Sequence, residues 1–167
     1  MPTEEQPLRD FESIAASLNQ PMYVVTTRHG EERAGCLVGF GCQVSIAPAR
    51  FLVCLSDKNH TYRLTRRATR LAVHVLGPHQ HRLARLFGTE TGDRVDKFAR
   101  CAWKPDAHGV PILGEARAWF SGPITATTVF GDHEGFVVAP DAAAVAGPVE
   151  DLLGMHDVLY LDPGHPA

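Results

Sequence analysis

Two short triplets carry the polar groups with the clearest chemical potential. Asn59-His60-Thr61 follows an apolar run at 51–55 and opens a basic stretch that reads as a helix over 60–70. Backbone N–H groups at a helix start attract anions. The side chains of Asn59 and Thr61 add hydrogen-bonding groups, and Lys58 or Arg63 adds charge. A plain N-cap, in which Asn59 serves its own helix, accounts for the local sequence equally simply. The second triplet is Gly131-Asp132-His133. Asp132 beside a turn glycine can orient or charge the His133 imidazole, which titrates near neutral pH. Gly-Asp also occupies hairpin turns for conformational reasons alone. The other histidines point less clearly to chemistry. His79 and His81, two apart on an expected helix, diverge. His74 faces away from Val73 and Val75 and reads as a satisfied, partly buried histidine, while His29, His108 and His165 fall in expected loops. No Ser-His-Asp or paired-carboxylate arrangement is identifiable.

Composition narrows the field. The 167 residues are 44% hydrophobic and 21% charged, with a net charge of −3, which gives no electrostatic case for nucleic acid or an anionic membrane. One domain spanning 1–167 is expected, with a core at about 11–138 and a loop and tail at 139–167. The four cysteines, Cys36, Cys42, Cys54 and Cys101, lack CxxC spacing, so neither a zinc site nor a disulfide framework is suggested. Three of them sit in apolar strand patterns, where a free thiol behaves as a small hydrophobe. The opening MPTEEQPLRD is acidic and polar, unlike a signal peptide, and no apolar run reaches the ~20 residues of a membrane span. A reduced, cytoplasmic protein is the expectation. No GxGxxG follows a strand and no GxxxxGK[ST] occurs, so neither a Rossmann nor a P-loop site is supported.

The longest positional signal is at 36–46. Cys36, Val38, Phe40, Cys42, Val44 and Ile46 alternate with Leu37, Gly39, Gly41, Gln43 and Ser45, which predicts one strand with a core face. The glycines of the second face suit either a planar ligand held by exposed peptide groups or a barrel corner that needs glycine for bending. Further strands are predicted at 22–27, 51–55 (buried on both sides), 71–76, 115–122, 124–130, 133–139 and 157–161. An amphipathic helix is predicted at 7–19, with Phe11, Ile14 and Leu18 on its stripe. A second should open at Gly77-Pro78 and bury Leu83, Leu86 and Phe87 up to Gly88, with one or two helical turns at 91–99. Residues 105–111 and 139–149 read as loops. Seven or eight strands with few helices point to a mainly β, closed or partly closed antiparallel barrel.

In order and spacing, several pieces resemble the flavin reductase-like family of FMN-binding split barrels. They are MYVVTT at 22–27, GCLVGFGCQVSIAPARFLVCLS at 35–56, NHT at 59–61, LAVHVLGPHQHRLARLFG at 71–88, TGDRVDKF at 91–98, GVPIL at 109–113 and GDH at 131–133. The resemblance implies a homodimeric split β-barrel that binds FMN or FAD and uses NADH or NADPH. Many such proteins supply reduced flavin to a partner monooxygenase. It further implies that Gly39, Phe40, Gly41, Cys42, Gln43 and Ser45 lie along the flavin ring, and that Ser56, Lys58, Asn59, His60 and Thr61 gather the phosphate. His133 would stand near the site of hydride transfer, with Lys97 and Phe98 as ring or nicotinamide neighbours. Where many members carry a polar run, this chain has Leu37-Val38-Gly39-Phe40-Gly41-Cys42-Gln43, so backbone groups with Gln43 and Ser45 must serve. That loss of polar contacts leaves a second reading, a flavin- or haem-binding carrier or redox sensor without reductase turnover.

Overall fold

The computed structural model describes residues 5–164, so His165 and the first four residues lie outside the described part. In chain order the elements are α1 (Gln6–Ser17), β1 (Tyr23–His29), β2 (Glu32–Val38), β3 (Gly41–Ser45), β4 (Arg50–Ser56), α2 (His60–Thr65), β5 (Arg70–Val75) and α3 (His81–Thr89). A 3-10 turn (Lys97–Arg100) follows, then β6 (Trp103–Pro105), β7 (Pro111–Leu113), β8 (Ala118–Val129), β9 (His133–Val138), β10 (Ala142–Val145) and a last 3-10 turn (Met155–Asp157).

The β-branched and aromatic run at 22–27 forms β1, an interior strand of the sheet that is covered on both faces. It pairs antiparallel with β2 on one edge and β5 on the other. Tyr23 and Val25 point into the barrel interior with Val53, Leu71, Val73, Phe136 and Val138. Met22 and Val24 point the other way, onto Leu76, Leu83, Leu86 and Phe87 of the β5 end and α3. Burying each such valine contributes about 2 kcal/mol. The full order, β2-β1-β5-β8-β9-β4-β3, is antiparallel throughout, and β10 attaches to β8.

β8 makes the sheet curl. Its first half pairs with β5 and β10, and its second half pairs with β9. The change of partner falls at Pro123, with a register shift between Ile124 and Ala126. At the corner Gly122 lies against the Ala139 backbone so closely that a Cβ would meet the Ala139 oxygen at 2.0 Å. The two strands predicted at 115–122 and 124–130 are therefore one bent strand. Proline is tolerated there because the strand leaves one sheet and enters the other.

Buried His74 ties three strands together. Its Nδ1–H donates to the Val24 carbonyl at 2.9 Å, and Leu113 N–H donates to its Nε2 at 3.1 Å. One nitrogen gives and the other accepts, so the ring is held neutral. Burial lowers its pKa from 6.5 to about 4. It is fully buried rather than partly so.

Other expectations need correction. The strand predicted at 36–46 is two strands, broken at Gly39-Phe40, and only its first half follows the expected pattern. Cys36 and Val38 are buried, whereas Cys42, Val44 and Ile46 are exposed. Protein groups lie close to Gly35, Gly39 and Gly41, although Gly39 and Gly41 stay partly exposed. A Cβ at Gly35 would meet Phe87 at 2.8 Å, one at Gly39 would meet Met155 at 2.6 Å, and one at Gly41 would lie 3.2 Å from the Leu52 carbonyl. These glycines admit neighbouring groups of the chain rather than leaving a bare platform. β4 fully buries only Val53 and Leu55, and its other residues are half-buried rather than covered on both sides. α2 ends at Thr65, not 70, and α3 starts at His81 with His79 in the turn before it. The loop at 139–149 contains β10, β6 and β7 flank the loop at 106–110, and the strand predicted at 157–161 is a 3-10 turn followed by irregular chain. α1 forms as expected, with Phe11, Ile14 and Leu18 exposed.

Candidate functional site

The end of β4 and the start of β9 meet through sheet register, and the chain leaving β2 joins them where Cys54 N–H donates to the Phe40 carbonyl. Ser56 pairs with His133, and Asp57 N–H donates to the Asp132 carbonyl, so the β8–β9 turn is clasped to the exit of β4. That turn is the expected two-residue hairpin. Gly131 takes φ +110, and Phe130 N–H reaches the His133 carbonyl at 2.8 Å. His133 Nδ1–H donates to Asp132 Oδ1 at 2.7 Å, and that bond holds the Asp132 carboxyl below its usual range. The ring lies against Phe40, with centroids 5.0 Å apart. No protein partner meets Nε2 among the described residues, and His133 is about 27% exposed in its side chain.

Beside this corner is a cavity of about 380 Å³. Gly39, Phe40, Ser56, Asn59, Lys97 and His133 from the sequence-derived set all line it. Most of the remaining wall is apolar and was not foreseen: Met22, Leu37, Cys54, Met155, Val158 and Leu161. Apolar side chains carry no chemical mark in a sequence. The C-terminal segment supplies part of this wall because it is pinned at both ends. Met22 N–H donates to the Leu153 carbonyl and Leu153 N–H to Leu76, while Gly164 N–H reaches Gly88.

Lys97 lies in the floor. Its Nζ donates to the Gly35 carbonyl at 2.9 Å and the Phe87 carbonyl at 3.2 Å, and burial lowers its pKa. The Asp96 side chain caps the turn that carries it by accepting from Phe98 N–H at 3.0 Å. Phe98 packs on Phe87 and Trp103 and borders a second, smaller cavity rather than the main one.

The 56–61 loop is more constrained than its sequence suggests. Asn59 is a true N-cap, its Oδ1 accepting from Thr61 N–H at 2.8 Å, although it also faces the cavity. Thr61 is buried. His60 Nδ1 lies 2.9 Å from Asp93, and Arg63 grips the same carboxylate at 2.7 Å. The Arg63 bonds, and then the His60 bond, lower the Asp93 pKa to about 2. Arg63 is thus committed to Asp93, and the loop's available cation is exposed Lys58. The His60-Arg63-Asp93 group anchors the 91–95 turn, which puts Thr91 and Gly92 at the cavity rim. Gly41, Cys42, Gln43 and Ser45 lie on β3 outside the cavity, and the Gln43 amide donates to the Ser45 carbonyl.

Phe40, Val44, Ile46, Val129 and Phe130 are all about half or more exposed. No helix among the described residues is long and apolar enough to cross a membrane.

Comparison with known proteins agrees with this geometry. The model of the flavin reductase like domain matches residues 15–160. The chain is 31% identical over 144 residues to FMN reductase (NADH) RutF 1 of Methylorubrum extorquens, covering 86% of this chain and 71% of that one. Among solved structures, the FMN-binding protein of Thermus thermophilus, crystallised with 1-cyclohex-2-enone, superposes with a TM-score of 0.73 at 28% identity, covering 77% and 72% of the two chains. The NADH:FAD oxidoreductase SgcE6 of Streptomyces globisporus C-1027 shares the fold, with a TM-score of 0.79 at 22% identity over 92% and 90%. The curled antiparallel sheet is thus the mainly β split barrel that the sequence predicts. On the extent of the family match and the identity to a curated reductase, this chain belongs to the flavin reductase-like domain family.

Proposed function

We propose that the chain is one flavin reductase-like domain that reduces FMN with NADH in the cavity bounded by β2, β4, β9 and the C-terminal segment. The observation that carries the reading is one cavity combining an apolar wall, the hydroxyl of Ser56, the buried ammonium of Lys97 and the Asp132-held imidazole of His133. Its volume suits a small-molecule site, which is typically ~300–1,000 Å³ and apolar with a few placed polar groups. The named relative, an FMN reductase (NADH), favours FMN over FAD and NADH over NADPH.

A bound flavin supplies the redox chemistry, accepting a hydride from reduced nicotinamide and passing two electrons on. The protein's residues bind and orient. The apolar wall of Met22, Leu37 and Leu161 excludes water from the ring, and Ser56 with Lys58 offers a donor and a cation to the phosphate. Asp132 fixes the His133 tautomer, which leaves Nε2 as the nitrogen able to hydrogen-bond a ligand in the cavity that His133 lines.

The exposed apolar face around Phe40, Val44, Ile46 and Phe130 supports a homodimer. In such a dimer Gly41, Cys42, Gln43 and Ser45 fall at the subunit boundary and can extend the flavin site. Passing reduced flavin to a monooxygenase and a cytoplasmic location complete the proposal. The test is anaerobic titration of FMN-loaded protein with NADH and then NADPH. Bleaching of the flavin's visible band at one equivalent of NADH supports the reading. A yellow protein that neither nucleotide bleaches refutes it in favour of a carrier or sensor.

A further inference from the structure

We propose that Lys97 is the fixed counter-charge of the cavity, stabilising the single negative charge that hydride arrival adds to a bound flavin ring. This rests on the flavin reading above. Lys97 is only 5% exposed, and buried lysines are ordinarily paired with an acid. Here no carboxylate lies within 4.0 Å of Nζ among the described residues. An ammonium has three donors. Two are placed on the neutral carbonyls of Gly35 and Phe87, and the Phe87 ring lies 5.5 Å away. The third has no hydrogen-bond acceptor among the described residues.

Two cavities meet at this side chain, the main one and a second of about 220 Å³ bordered by Arg33, Asp96 and Phe98. A buried cation with no carboxylate in direct contact, facing two cavities and with Glu90 acting on it only at longer range, is poorly explained as scaffolding, because a methionine would fill the same room without the desolvation cost. Glu90 lines the same cavity and disfavours a dianionic phosphate near Lys97. A single charge is the better match. Transfer of a hydride from reduced nicotinamide moves two electrons and one proton, leaves the pyridinium cation, and adds one negative charge to the ring until a solvent proton removes it. A preorganised cation in a water-poor site acts strongly on a charge that appears during the reaction.

The test compares wild type, Lys97→Met and Lys97→Arg, each titrated with oxidised and with reduced FMN. Wild type should bind reduced FMN more tightly than oxidised FMN. Lys97→Met should lower that ratio by at least about tenfold, equivalent to ~30 mV for a two-electron couple, and Lys97→Arg should keep most of it. A purely structural lysine would weaken both forms alike, and an unchanged ratio overturns the proposal. If Lys97→Met does not fold, wild type decides alone, since a bound potential at or below that of free FMN overturns it. Failure of wild type to bind FMN in either state defeats the flavin reading and this proposal together, whereas FMN binding with an unchanged ratio defeats this proposal alone.

Discussion

Acid should destabilise this fold in a pH window set by one buried histidine. His74 titrates at about 4 in the folded chain against 6.5 when unfolded, because burial disfavours its charged form. The folded pKa is depressed, so between those values the unfolded chain binds a proton that the folded chain does not. Stability therefore rises with pH through the window and is lost as pH falls. A gap of this size corresponds to about 3 kcal/mol at full extent. Protonation would also turn Nε2 into a donor facing Leu113 N–H, which now donates to it. Asp93, lowered to about 2 by Arg63 and then His60, loses its contribution only below the ordinary carboxylate range, so it does not mask the effect. The assay is urea unfolding of wild type and His74→Gln across pH 4 to 6.5 and at neutral pH. The variant should be less stable at neutral pH by about 1–3 kcal/mol, and its stability should be flatter through the window. Parallel pH profiles for the two proteins would refute the reasoning.

Two further outcomes follow from the site and the sheet corner. His133→Ala should slow single-turnover reduction of bound FMN by NADH roughly tenfold to a hundredfold, while FMN affinity changes far less. Equal rates would remove His133 from the chemistry. Gly122→Ala would bring a Cβ to 2.0 Å from the Ala139 oxygen, a backbone atom that cannot swing aside. It should cost about 2 kcal/mol or more in chemical unfolding, and a stability equal to wild type would mean the corner is looser than described.

The parts most legible in the sequence are those whose local and tertiary signals agree. β1 and β5 are read correctly because β-branched, aromatic and aliphatic residues dominate both faces of a covered strand, and the β8–β9 hairpin because Gly131 supplies the positive φ its turn requires. The break at Gly39-Phe40 is hidden by alternation that continues across it. Period two reports that two faces differ, not that the apolar one is covered, and Val44 and Ile46 keep the pattern while facing outward. β10 and the C-terminal segment are missed because alanines and scattered apolar residues carry little local preference. They take shape only against β8, Leu76 and Gly88. In the site, the polar residues Ser56, Asn59, Lys97 and His133 are legible through their motifs. Asn59 is the N-cap of the plain reading and also lines the cavity.

The cavity as the place where flavin binds is best tested by filling it. Half-buried Cys54 lines the space from the β4 face opposite Val53 and Leu55, so a larger side chain there enters the cavity rather than the core. Titration of FMN fluorescence should show wild type quenching the flavin saturably. Cys54→Trp, with its thermal melt preserved, should bind at least about tenfold more weakly. A folded Cys54→Trp protein that binds FMN as tightly as wild type would place the flavin elsewhere and contradict the account.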